Sequence, residues 1–185
     1  FFADTNVPHF IIEVKGTNLN SIRRDPRKNV RATVRVGDQV FEDVAIHCKG
    51  AAGSFRNFDD RPALTLNMDK FTGKQHFRGL EKFHLNNSVQ DPTYLCEAVC
   101  GELFLAAGVP AARAAHARVT LNGRDLGFYG LKEGFNKQFL ARFFKSTKGN
   151  LYDGGFIREI TDDLELDSGE GDVPKRADLK ALAAA

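Results

Sequence analysis

Tryptophan is absent from this 185-residue sequence, and cysteine occurs only three times. Long apolar runs are missing too. The longest, around Leu103–Ala107, falls far short of the roughly 20 residues that a membrane-spanning helix needs, so no membrane partner is expected. Three cysteines, Cys48, Cys96 and Cys100, are too few to staple a small disulfide scaffold, and the fold should not depend on bridges. Cys96 and Cys100 lie four apart on an expected helix. With His47 and His84 elsewhere they could suggest zinc, but no tight CxxC pairing accompanies them, and two small half-buried helix residues are the simpler reading. The first residues, Phe1-Phe2-Ala3-Asp4, lack a basic segment followed by an apolar stretch. A secretory leader is therefore expected to be absent or already removed, and the compartment is not indicated.

What is present points to a globular chain with a phenylalanine-rich interior: 42% of residues are hydrophobic and sixteen are Phe. The net charge of +2 conceals an asymmetry. Residues 1–158 carry 23 Lys or Arg against 16 Asp or Glu, whereas residues 159–185 carry 3 against 8. A basic body suits an anionic ligand. Its charges are dispersed and not interleaved with exposed aromatics, so nucleic acid is not the expected partner. The acidic stretch "DDLELDSGEGD" is not a calcium loop: counted from Asp163, the sixth position is Ser168 where Gly is needed, and the twelfth is Pro174 where Glu is needed. It reads as a solvated loop.

The first half reads as β-structure. "FIIEV" (Phe10 to Val14) is a short strand and "NLNSIRRDPRKN" a polar connection. In "VRATVRV", Val30, Ala32, Val34 and Val36 alternate with Arg31, Thr33 and Arg35, the period of a half-buried strand. Gly37-Asp38 supplies a two-residue turn, and the partner strand runs from about Gln39 to Lys49. On it Val44, Ile46 and Cys48 share one face, which puts His47 and Lys49 on the other. Further strands are expected in "PALTLNM" and over Lys82–Leu85. A helix is predicted over 92–107, with Asp91 as cap, Pro92 in the first turn and Leu95, Val99 and Leu103 as its buried stripe. Asn122-Gly123 marks a hairpin, and a short helix begins at Asn136, with Phe135 and Leu140 placed to form a hydrophobic staple. The alanine-rich tail, helix-prone and uncapped, suggests the front portion of a larger protein.

The loop between Lys49 and Arg61 carries the functional question. Gly50, Gly53 and Ser54 could let backbone N–H groups approach an anion, with Lys49 or Arg61 as cation and Glu97 on the helix as an orienting carboxylate. The same residues also fit a flexible hairpin connection, a solvated strand end and a surface carboxylate. Local sequence leaves both open.

Four segments, "KGAAGSF", "FHLNNSVQDPTYL", "AAGVPAARAAHARVTLNGRDLGFYGLKE" and "GNLYDGG", taken in order, resemble the spore-coat protein H (CotH) kinase family over about residues 44–155. The resemblance implies an α+β fold: an antiparallel β-rich lobe with one long helix, like the N-lobe of an atypical protein kinase, followed by a partial helical second lobe. It implies a nucleotide-binding lobe over 1–132 and a hinge with the start of a second lobe over 133–185. It further implies ATP with Mg or Mn as cofactor, a protein Ser/Thr hydroxyl as phosphoacceptor, and cofactor contacts from Lys49, Gly50, Gly53, Ser54, Arg61, Glu97 and Glu133. Where relatives carry Lys-Lys-Ser before the strand after the loop, this chain has "DRPAL", with Arg61 the only cation. The family's catalytic and metal-binding aspartates have no equivalent among Asp153, Asp162, Asp163 or Asp167, so this chain alone is not expected to catalyse. Other readings are a non-catalytic structural or surface-interaction protein on the same scaffold and, more remotely, a carbohydrate- or partner-binding β domain.

Overall fold

The computed structural model describes residues 2, 6–155, 157–169 and 176–185. They fall into two compact units, 1–134 and 135–185.

The first unit is a closed seven-stranded barrel. Its strands are β1 (His9–Glu13), β2 (Val30–Val36), β3 (Gln39–Lys49), β4 (Ala63–Asn67), β5 (Lys82–Asn86), β6 (Ala114–Leu121) and β7 (Arg124–Glu133). They are ordered β1-β2-β3-β4-β5-β7-β6 around the barrel. All neighbours are antiparallel except β1 and β6, whose parallel pairing, Phe10 opposite Val119 and Ile12 opposite Leu121, closes the ring. Two hairpins use the expected turns, with Gly37 at φ 57° and Asn122-Gly123 at φ 47° and 77°. Asn122 does more than turn the chain. Its side chain accepts from the Val14 N–H at 2.8 Å and donates to the Val14 carbonyl at 3.0 Å, clasping the closing seam.

Side chains fill the barrel. Phe10, Phe77 and Phe83 pack edge-on or tilted against one another, their ring centroids 5.0–5.8 Å apart. Ile12, Ile46, Cys48, Leu64, Leu66, Leu85 and Leu131 surround them, all inaccessible to solvent. Each such large side chain contributes about 1.5–3 kcal/mol by leaving water.

This architecture corrects the expected fold class. The expectation of an open kinase-like N-lobe with one long helix is overturned by a closed barrel and, among the described residues, four short helices. The local period-2 pattern reports which face of a strand is buried but not whether the first and last strands meet. Closure is decided by a pairing across 108 residues.

The helix expected over 92–107 is also corrected. It forms α2 only over Cys96–Ala106, and no residue in it is buried. Tyr94 sits at φ 59°, which breaks the first turn. Asp91 still caps, but across that break: its carboxylate accepts from the N–H of Thr93 at 3.1 Å and of Cys96 at 2.9 Å. Leu95, Val99 and Leu103 face solvent at 53, 60 and 67% exposure. Gly101 lies close to the segment leading into β6, where a Cβ on it would be 3.3 Å from the Ala112 carbonyl. A helix, α1 (Gly16–Arg24), replaces the expected polar connection before β2, anchored by the buried Ile22.

The second unit holds α3 (Lys137–Phe143), β8 (Leu151–Asp153), β9 (Glu165–Ser168) and α4 (Ala177–Ala184). Asn136 caps α3 as expected, its side chain accepting from the N–H of Gln138 and Phe139. The ring packed against Phe135 is Phe139, at 4.8 Å. Part of the acidic stretch is strand and not loop, because β9 pairs with β8. Residues 170–172 of that stretch, and Pro174 beyond it, lie outside the described residues.

Candidate functional site

Outward-facing positions on three neighbouring strands form one wall of a cavity of about 390 Å³. Cys48, Leu64 and Leu85 point into the barrel. By alternation Lys49, Ala63 and Asn86 point out. These three line the cavity together with Gly50, Ser54, residues 87–91, and Cys96, Glu97 and Cys100 of α2. The size lies within the range of about 300–1,000 Å³ typical of small-molecule sites.

A polar chain crosses the wall. Lys49 Nζ donates to Asn86 Oδ1 at 2.8 Å, and Asn86 Nδ2 donates to Glu97 Oε1 at 2.6 Å. The second carboxylate oxygen of Glu97 pairs with Lys132 Nζ at 3.1 Å. The strand cation and the helix carboxylate singled out from sequence thus meet at one site, through an asparagine that the sequence reading passed over.

The glycine loop is folded on itself. Gly50 lies at φ 110°, and a Cβ there would sit 2.9 Å from Ser54 Oγ and 3.0 Å from the Phe55 nitrogen, so glycine is needed for both angle and space. Ser54 Oγ donates to the Ala51 carbonyl at 2.7 Å and accepts from its N–H at 3.1 Å. The Ser54 N–H also donates to Ala51 O, at 2.9 Å. Outer carbonyls are held by side chains: Ala52 O by Gln90 Nε2 at 2.9 Å, Gly53 O by Arg56 at 2.8 Å, and Gly50 O by Arg27. Gly50 and Ser54 are on the cavity wall and Gly53 is not.

Arg61 and Glu133 go elsewhere. Arg61 Nη2 donates to the Tyr94 hydroxyl at 2.8 Å and to the Phe128 carbonyl at 2.7 Å, and its guanidinium lies over the Tyr129 ring at 5.3 Å. Its Nε is buried without an acceptor. Glu133, 1% exposed, forms a two-point pair with Arg113, at 2.7 and 3.2 Å. Neither lines the cavity.

Beside Lys49, the outer wall carries His47, Thr65, His84 and Lys132 as successive cross-strand neighbours. Burial, reinforced by surrounding lysines, pushes the pKa of His47 down to about 4 and that of His84 to about 2, so both rings are neutral at neutral pH. Burial pushes the Cys48 thiol up to about 11. Cys96 and Cys100 are exposed, contrary to the half-buried expectation, because the α2 face that carries them borders the cavity. Among the described residues, no three His, Cys, Asp or Glu side chains gather as metal ligands.

Asn86, Asn87 and Lys132 were missed by sequence reasoning. Alternation would have found two of them: Asn86 shares a face with Lys82 and His84, and Lys132 is one step from the buried Leu131.

A family profile described as "CotH kinase protein" matches residues 46–181, nearly three-quarters of the sequence. The chain belongs to the CotH kinase family. It is also 30% identical over 164 residues to the "Inner spore coat protein H" of Bacillus subtilis (strain 168). That match covers 88% of this CotH-family chain and 42% of the relative, so the chain spans less than half of that protein's length. The resemblance carried by the loop, "FHLNNSVQDPTYL" and the hairpin is upheld.

Proposed function

We propose that this chain is the nucleotide-binding part of a CotH-family phosphotransferase. In this reading the cavity holds the phosphates of ATP, and the longer parent protein transfers the γ-phosphoryl group to a Ser/Thr hydroxyl of a protein. The observation that carries the reading is the Lys49–Asn86–Glu97 chain on a cavity wall beside a tight glycine turn. Phosphoryl transfer depends on positioning and charge neutralisation, and a strand lysine indexed to a helix carboxylate supplies both.

The donor set fits a polyphosphate through Lys49, which supplies charge on the cavity wall, while Gly50 keeps the turn beside it tight. Mg or Mn, brought with ATP, would supply further neutralisation of the phosphates, but no described residue of this chain is assigned to the metal. Glu97 is engaged by Asn86 and Lys132, and Asp91 by the backbone of Thr93 and Cys96. Arg61, with its two tyrosine contacts, acts in this reading as a clamp between β4 and the turn before α2. Glu133 acts as the partner of Arg113.

Calorimetric titration with a Mg-bound non-hydrolysable ATP analogue tests the reading. Wild-type chain is expected to bind, and Lys49→Ala to lose tenfold or more in affinity, in keeping with about 1.5–3 kcal/mol for a hydrogen bond from a charged group. Equal affinity in the two proteins overturns it. A second reading, a non-catalytic coat or surface-interaction protein on the same scaffold, draws on the exposed Leu95, Val99, Leu103 and Phe104 of the α2 region and on the name of the Bacillus relative. It predicts no nucleotide binding by either protein.

A further inference from the structure

We infer that the Asn86-Asn87 dipeptide is the organiser of this site, its two consecutive amides separately setting the cation and the glycine loop. The inference takes from the nucleotide reading only the choice of a phosphate probe.

β5 ends at Asn86, and successive side chains leave the strand in opposite directions. Asn86 points to the outer wall, where its amide is bonded at both ends: the oxygen accepts from Lys49, and the nitrogen donates to Glu97. A primary amide accepts from the ammonium through its oxygen and donates to the carboxylate through its nitrogen, so one neutral side chain serves both charged partners. Aspartate in its place would meet Glu97 with like charge across a 2.6 Å contact. A leucine would leave both partners without their bond. Glu97 is in turn fixed by Lys132, so Asn86 refers the position of Lys49 to α2 and β7 together.

Asn87 points the other way and is 2% exposed. Its Nδ2 donates to the Ser54 carbonyl at 3.1 Å and to the Arg61 carbonyl at 2.9 Å. These two carbonyls bracket the segment from the end of the glycine turn to the start of β4, so one buried amide ties Ser54, on the cavity wall, to the chain entering β4. Leaving two carbonyls unsatisfied in a buried place is costly, which makes this tie strong. Asn86 and Asn87 are positioning residues: they act on the ligand through Lys49 and through the loop.

The test uses the full chain with selectively labelled lysine and backbone nitrogen, and inorganic pyrophosphate and the Mg-bound ATP analogue as probes. N86D is expected to shift the Lys49 side-chain NMR signal and to weaken pyrophosphate binding about tenfold or more, with loop amide exchange unchanged. Combining it with E97Q exchanges donor and acceptor across the same contact, and is expected to restore the Lys49 signal and bring affinity back to within about threefold of wild type. N87D is expected to do the reverse, speeding exchange of the loop amides at Ala51 and Ser54 while leaving the Lys49 signal in place. N87S, which keeps a small donor, replaces it if N87D lowers the melting temperature too far to measure. The inference is overturned if N86D leaves Lys49 unmoved, if E97Q brings no rescue, or if both asparagine substitutions move both signals together. A wild-type chain that binds neither probe, while the Lys49 signal still shifts and is rescued, refutes the nucleotide reading and upholds the positioning roles.

Discussion

The inner and outer faces of β3, β4 and β5 are made by the same residues of backbone and do opposite work. Inward, Cys48, Leu64 and Leu85 are sealed from solvent. Outward, Lys49, Ala63 and Asn86 line the cavity. At the ends of these strands that border the cavity, neighbouring residues therefore serve the core and the site in turn, and the rigidity of the first holds the second in place. A closed barrel suits this arrangement because it has no free edge to distort when the outer face changes. The outer face still has rules of its own: His47 and His84 lie on it yet are kept neutral by burial and by nearby lysines.

The sharpest way to break the contrast is from inside. Phe83→Ala removes a ring at 5.6 Å from Phe10 and 5.8 Å from Phe77, and is expected to cost about 3–5 kcal/mol, read by denaturant unfolding. The cavity should go with it, since Phe83 is on the same strand as Asn86.

A smaller effect comes from acid. The folded-state pKa values of His47 and His84 lie below the ordinary value of 6.5, so the unfolded chain takes up protons first. Their contribution is fully present above about pH 6.5 and is lost progressively as pH falls towards 4, with the loss from His84 continuing below that. Unfolding measured from pH 7 to pH 4 should show this slope, and His84→Asn should flatten it. A slope unchanged in that variant counts against burial of a neutral ring.

From outside, Lys49→Ala loses the bond to Asn86 and should cost about 0.5–1.5 kcal/mol, far less than Phe83→Ala, while under the proposed function it lowers anion affinity tenfold or more. A large fall in melting temperature would mean that the outer face is part of the core's support. The mildest probe carries no energetic cost: a neutral alkylating agent at pH 8 should label Cys96 and Cys100, which are exposed, and spare Cys48, which is buried. Mass spectrometry reads the difference, and labelling of Cys48 would show that the barrel opens.

Much of this could be read in advance where the pattern is local. The alternation in "VRATVRV" and the turns at Gly37 and Asn122-Gly123 stand as expected. Lys49 and Glu97 were singled out because a strand cation and a helix carboxylate are what anion chemistry needs, and the structure brings them to one cavity. Arg61 and Glu133 could not be placed from sequence, because their partners Tyr94, Phe128 and Arg113 lie on other elements. Helix α2 misled for a related reason: its apolar spacing was sound, but its bonds to the barrel strands run from Glu97 to Asn86 and Lys132, and Leu95, Val99 and Leu103 are left exposed.

By itself the amino-acid sequence determined which residues alternate, where the chain turns and to which family it belongs, since each depends on neighbours along the chain or on motifs in order. Only the tertiary structure decided that the strands close into a ring, that an asparagine stands between Lys49 and Glu97, and which charges reach the cavity. Those depend on pairings between distant segments, such as Val14 with Asn122 across 108 residues, whose cost in chain entropy is met only when the whole core forms at once.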